Sequence, residues 1–463
     1  MPLNRRTFLK TSALTAAVFA LPRRAQADYG DLVRDPDGVL DLPSGFSYTV
    51  LDSRGESMDD GYRVPGKPTG MACVEDANGN WVLVRNHELD DTDSLVGPYD
   101  SAQSAPDTAY DSESLGGVSR VVIDPSRLSI LSRNMLLLGT SQNGGGAISP
   151  WGWLSSERAT AINHGLVFLC DPQASTVDEP RPVASCGRFR HGGTAVDNQS
   201  RVYLSEDRPQ GSFYRMTPLN AADPFSGTLE ALVIAGENNL DTSSTLSMGD
   251  VVAIEWVAID EPNPESDTLR DEAQSKGAAI FTHASGLWAD EDSIWFCCTE
   301  GGPVNAGQVF RLHVSEGTLE CVLASTNTWV LDMPRSITVA PWGEVFFGED
   351  GTADQYIRGI DNDGFLFDFA YNQGSTGGIG GTCFSPDGSV LFVNLPKDHI
   401  TLAIEGPFPY EGRATDSGNG QNPGKDVNSG CACASSSSPF TPALVLAGLG
   451  AVLARRGLPK KGG

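Results

Sequence analysis

Asp197-Asn-Gln-Ser-Arg-Val-Tyr-Leu-Ser-Glu206-Asp207 joins a turn, a run of strand formers and an acidic pair. Asp, Asn and Ser suit the turn because their short polar side chains imitate turn backbone. Val, Tyr and Leu then suit a pleated strand. The phrase returns at Asp76-Ala-Asn-Gly-Asn-Trp-Val-Leu-Val-Arg-Asn-His-Glu88 and at Asp290-Glu-Asp-Ser-Ile-Trp-Phe-Cys-Cys-Thr-Glu300. It returns again at Pro341-Trp-Gly-Glu-Val-Phe-Phe-Gly-Glu349-Asp350 and at Pro386-Asp-Gly-Ser-Val-Leu-Phe-Val-Asn394. Copies lie about 45 to about 120 residues apart, so a blade-length period is only partly visible. With 52 glycines and few long helical periods, the repetition predicts an all-β fold of the β-propeller kind.

In a propeller, equivalent strand ends meet around one axis. Glu88, Glu206 or Asp207, Glu300, and Glu349 or Asp350 are therefore expected on one face. Carboxylates share such a space only when protonated or bridged by cations. Hard cations such as calcium take this ligand type. The bland alternative is that these acids cap turns or face water.

The termini read as tags around this body. Asn4-Arg5-Arg6-Thr7-Phe8-Leu9-Lys10 precedes an apolar run from Thr11 to Leu21 and then Ala25-Gln26-Ala27. That order predicts a twin-arginine (Tat) signal peptide over 1–27, and its apolar run is too short to span a bilayer. The propeller is expected over 28–412 and a polar linker over 413–430. Residues 431–463 join Cys431 and Cys433 to an apolar stretch and Arg455-Arg456. They resemble a MYXO-CTERM sorting tag, or else form a retained anchor. The expected location is periplasmic, cell-surface or secreted, with export and C-terminal sorting machineries as partners.

The formal net charge is −27, and the basic residues of the two tags make the body more acidic still. Such an excess excludes nucleic acid or anionic lipid as the natural partner and suits cation binding or salt adaptation. Seven cysteines lie between the tags, with no zinc spacing. A disulfide such as Cys170–Cys186 suits an exported protein, although sequence does not fix the pairing. Gly144-Gly145-Gly146 lacks the Lys of a P-loop, and no G-x-S-x-G elbow is present. Asp361-Asn362-Asp363-Gly364 reads as a turn. His87, His191 and His283 are the histidines placed to approach the axis.

Asn143-Gly-Gly-Gly-Ala-Ile-Ser-Pro150-Trp151-Gly152-Trp153-Leu154-Ser155-Ser156-Glu157 resembles the core motif of the PhoX alkaline phosphatase family. Arg85-Asn86-His87-Glu88, Val202 through Asp207, Pro341 through Gly351 and Phe384 through Gly388 follow in the same order. The resemblance runs from about Gly45 to Pro409. It implies a six-bladed propeller with irregular insertions that holds iron and calcium on its axis and hydrolyses small phosphate monoesters. Clustered cations would stabilise the charge of phosphoryl transfer.

By this resemblance Glu88 and Glu157 stand at metal-binding carboxylates, and Asn143 at a phosphate-contacting Asn. Glu349 and Asp350 keep the late acidic pair, with Glu206 a further metal candidate. Other positions depart from the pattern. Ser156 replaces the iron-binding Cys, so iron is disfavoured and calcium is the remaining cation candidate. Arg158 replaces a Glu, Arg335 an Asp, Gly192 a Glu and Gly378 a Glu. His283-Ala284-Ser285-Gly286 replaces an Arg-Pro-Glu-Gly segment. Arg158 and Arg335 either take the place of cations and bind an anion directly, or point elsewhere in salt bridges. Two functions follow: an exported phosphomonoesterase with an altered metal site, or a non-catalytic surface propeller that binds a ligand, cation or protein.

Overall fold

The computed structural model describes residues 29–99, 105–220, 222–352 and 354–409. The signal peptide, linker and C-terminal tag lie outside the described residues. Each repeated phrase proves to be a hairpin turn and the strand after it. Asp197 Oδ1 accepts the amides of Gln199 and Arg201, each at 2.9 Å, and turns His191–Val196 into Val202–Glu206. Asp76 does the same between Pro68–Glu75 and Trp81–His87. The hairpins Ala284–Asp290/Ser293–Cys298, Pro334–Val339/Val345–Glu349 and Gly380–Phe384/Val390–Leu395 are the other three copies. A sixth hairpin, Asn143–Ser149/Gly152–Glu157, turns through Ser149-Pro150-Trp151-Gly152 and so escapes the phrase.

The second strand of each hairpin is buried along its whole described length except at Gly152. Burial on both faces means that sheets stack on either side of it. Aromatic clusters fill the spaces between sheets. Phe213, Phe281, Phe296 and Phe310 form one, with Phe296 and Phe310 stacked at 5.1 Å. Each such ring contributes roughly 1.5–3 kcal/mol by burial.

The result is an all-β, propeller-like fold. Among the described residues the strands form five hydrogen-bonded sheets. Six blades were expected; Val251–Ala258 pairs with Asp223–Ile234 on one side and Thr318–Ala324 on the other, which joins two four-stranded meanders into one nine-stranded sheet. The early strand Ser47–Ser53 pairs with Ile400–Glu405 and completes the last sheet.

The first strands of the six hairpins pack in sequence against one another around a central cavity. Their approach is close enough to demand glycine. A Cβ on Gly192 would lie 2.0 Å from the Ala284 carbonyl oxygen. One on Gly381, whose φ is +55°, would lie 1.9 Å from that of Thr69, where the last first strand meets the earliest. All seven cysteines of the body are free, and Cys170 and Cys186 sit in separate core clusters. The Cys170–Cys186 disulfide is therefore not formed.

Candidate functional site

In five hairpins the end of the second strand is paired with the start of the first, and four of these lead into the site: Pro68↔His87, Asn143↔Glu157, His191↔Glu206 and Pro334↔Glu349. Successive side chains of a strand leave on opposite sides. His87, Glu157, Glu206 and Glu349 therefore stay within the protein, and the next residues, Glu88, Arg158, Asp207 and Asp350, meet beside the axis.

The inner row is saturated. Glu157 is fully buried; it accepts from the amides of Ser141 (2.8 Å), Gly165 (2.7 Å) and Leu166 (3.1 Å) and contacts His164 Nδ1 at 2.8 Å. Glu206 accepts from the Ser212 amide, the Tyr214 hydroxyl and Arg270. Glu349 accepts from the amides of Asp332 and Tyr356 and from Arg358 Nε at 2.6 Å. Burial pushes Glu206 and Glu349 up to about 7, against these donors. Glu206 and Glu349 each bind to the strand that follows, at Tyr214 and at Tyr356 and Arg358, and Glu157 ties the loop from His164 to Leu166 onto Ser141. His87 and His191 are also enclosed, and burial lowers both to about 3, so they stay neutral.

The axial row is an array of ion pairs. Glu88 sits between two guanidiniums, 3.2 Å from Arg158 Nη1 and 2.6 Å from Arg335 Nη2. Arg158 also pairs with Asp207, and Arg335 with Asp350. Arg190 contacts Asp207 at 3.2 Å and donates to the Arg158 carbonyl oxygen at 2.8 Å. His283 Nδ1 lies 2.7 Å from Asp207 Oδ1, and Glu300 lies 3.9 Å from its Nε2. The hydrogen bond to Asp207 raises the His283 pKa. Although burial opposes its charge, Arg335 is held above its usual range by Glu88 and Asp350. Glu88 and Arg335 belong to sheets whose first strands are separated in the ring by Gly380–Phe384, so this pair reaches past that strand.

Behind the array is a cavity of about 290 Å³. Glycines of the first strands line it, with Arg158, Arg335, Asp350 and Lys397 at its charged end. The structure thus brings together Glu88, Arg158, Arg335, Asp350 and His283 of the predicted residues. It holds Glu157, Glu206 and Glu349 apart as loop clamps. Asn143 is buried, with Thr140 donating to its Oδ1 and its Nδ2 donating to Ser155 Oγ. Ser156 is buried with its hydroxyl against that of Thr194. Arg190 was missed by sequence reasoning; its signal was a basic residue just before the His191-Gly192 pair.

A model of the family described as alkaline phosphatase PhoX matches residues 27–136 and 127–397. The chain belongs to the PhoX family. Among solved structures, it resembles Pseudomonas fluorescens PhoX in complex with vanadate, a transition state analogue. Identity is 14% and the TM-score 0.63, over 80% of this chain and 96% of that one. A gluconolactonase from Xanthomonas campestris matches with 11% identity and a TM-score of 0.41, over 81% and 100% of the two chains. No curated protein sequence matches the chain.

The iron–calcium cluster that the resemblance implies does not fit this donor set. Both oxygens of Glu157 already accept two donors each, which leaves no lone pair for a cation. Glu88, Asp207 and Asp350 are each matched by guanidinium. Among the described residues no three His, Cys, Asp or Glu groups come together as a metal site requires. A multivalent cation placed here would face fixed positive charge rather than free carboxylate.

Proposed function

We propose that this PhoX-family chain is an exported protein that recognises phosphate monoesters at the mouth of its axial cavity, with guanidinium groups in the place of the family's metals. The observation that carries this reading is the position of Arg158 and Arg335, side by side around one carboxylate, at the charged end of the cavity. Arginine forks bind phosphate oxygens by paired, charge-assisted hydrogen bonds. The twin-arginine motif supports export, and the Cys431 to Arg456 region supports sorting to the cell surface. Six blades are the count that the six packed first strands support, with Ser47–Ser53 closing the last blade.

In this site Arg158 and Arg335 orient the phosphate group. Asp207 and Asp350 hold the two guanidiniums in place from behind. His283, kept more basic by Asp207, supplies a proton donor at the edge of the array. Saturation of Glu157, Glu206 and Glu349 within the protein favours a second, non-hydrolytic reading, in which the ester is bound and released unchanged.

Purified mature protein should be assayed on 4-nitrophenyl phosphate with and without calcium and iron. Competition by inorganic phosphate should be followed in parallel. Binding that is lost in Arg335→Met supports recognition at this site. Failure of any phosphate compound to bind would sink the reading. Turnover that requires added metal and Glu157 would instead restore the family's metal chemistry.

A further inference from the structure

We propose that Glu88 is an internal stand-in for the phosphate group: its carboxylate fills the anion site between Arg158 and Arg335, and a phosphate dianion binds by displacing it, without metal. The inference rests on the reading above and adds the identity of the site's resting occupant.

Glu88 differs from the other carboxylates of the array in its contacts. Asp207 gathers Arg158, Arg190 and His283 and is almost fully buried. Glu88 is about one-fifth exposed, and its two oxygens are divided between two guanidiniums that come from different sheets. Its backbone is anchored separately, by its amide donating to the Lys67 carbonyl oxygen at 3.0 Å. The side chain can therefore swing toward solvent while the main chain keeps its place. Arg158 and Arg335 would remain oriented by Asp207 and Asp350.

The charge balance suits an exchange of anions. Three guanidiniums, of Arg158, Arg190 and Arg335, face three carboxylates, of Glu88, Asp207 and Asp350. With the Glu88 carboxylate withdrawn, three guanidiniums face two carboxylates, a net charge of +1, and the Lys397 ammonium at the cavity wall brings it to +2, which a dianion balances and a single carboxylate does not. A phosphate group has enough oxygens to accept from both forks at once. Lys397, whose ammonium donates to Thr376 Oγ1 at 2.9 Å, adds a further cation at the cavity wall. The cavity behind, lined also by Met71, Leu287 and Ile337, offers a small, partly apolar space for the alcohol of an ester.

The test is calorimetric titration of inorganic phosphate into chelator-treated, full-length mature protein. Glu88→Gln removes the competing charge and keeps the shape; it should bind phosphate about ten-fold more tightly than wild type. Glu88→Asp, which keeps the charge and shortens the reach, should fall between them. Arg335→Met should abolish binding in either background. Glu88→Gln binding no more tightly than wild type, with an unchanged circular dichroism spectrum, would overturn the inference and leave the functional reading standing. Binding that appears only with added calcium or iron would overturn it too. Absence of binding in wild type and in both Glu88 variants would remove the functional reading along with it.

Discussion

Glu349 and Asp350 are neighbours in the chain, as are Glu206 and Asp207, yet the members of each pair serve different parts of the molecule. The first of each is fully buried and takes hydrogen bonds from loop amides, with Arg358 or Arg270 beside it. The second meets arginine at the cavity mouth. Glu157 and Arg158 repeat the division with a change of sign in the second place. Identical carboxyl chemistry thus becomes a structural clamp or a part of the site according to a single step of strand alternation. The family's ligand pattern, carried over by residue type, does not separate the two rows.

The comparison breaks most readily at Glu157. Glu157→Ala leaves three buried amides and His164 without their acceptor and should cost about 3–5 kcal/mol in urea unfolding. A loss below about 1 kcal/mol would show that the inner row is not a clamp. Asp207→Asn comes next, at about 1–3 kcal/mol, because it strips a shared anion from Arg158, Arg190 and His283. NMR titration of His283 should then give a lower pKa, since its hydrogen bond to Asp207 is what raises it.

pH separates the rows in another way. Glu206 and Glu349 keep protons up to about 7 in the fold, whereas the unfolded chain releases them near the ordinary glutamate value of 4.5. Their effect is a loss of stability as pH rises through that interval. His283 and His164 are both raised; for His164, burial is outweighed by Glu157 and Asp111. Their contribution is fully present below the unfolded histidine pKa and is lost as pH rises through the folded one. These four groups share a sign, but His87, His191 and His399, all lowered in the fold, act the opposite way below the unfolded histidine pKa, so the melting temperature should fall only above it, from about pH 6.5 to about pH 8. A rise across that range would contradict these assignments. The smallest effect on stability is expected from Glu88→Gln, within about 1 kcal/mol, because a partly exposed ion pair contributes little. A loss as large as that of Glu157→Ala would erase the distinction between the rows.

Much of the fold was legible in local sequence. Five turn-and-strand phrases marked five of the six hairpins, because Asp, Asn and Gly at a tight turn and β-formers after it act over a few residues. The sixth was hidden by its Ser-Pro-Trp-Gly turn. Glu88, Asp350, Arg158 and Arg335 were legible as candidates, and the choice within Glu206-Asp207 and Glu349-Asp350 was not. Arg190 carried only the weak signal of a basic residue before His191-Gly192, and its importance comes from its contacts with Asp207 and Arg158.

The sequence by itself therefore determined the strand class, five of the six hairpins, the family and most of the charged residues near the strand ends. Only the tertiary structure decided which of them meet. Pairing register sends alternate side chains to opposite sides, and ring closure brings residues hundreds of positions apart, Glu88 and Arg335, into contact. Both are long-range constraints, and no local run of residues records them.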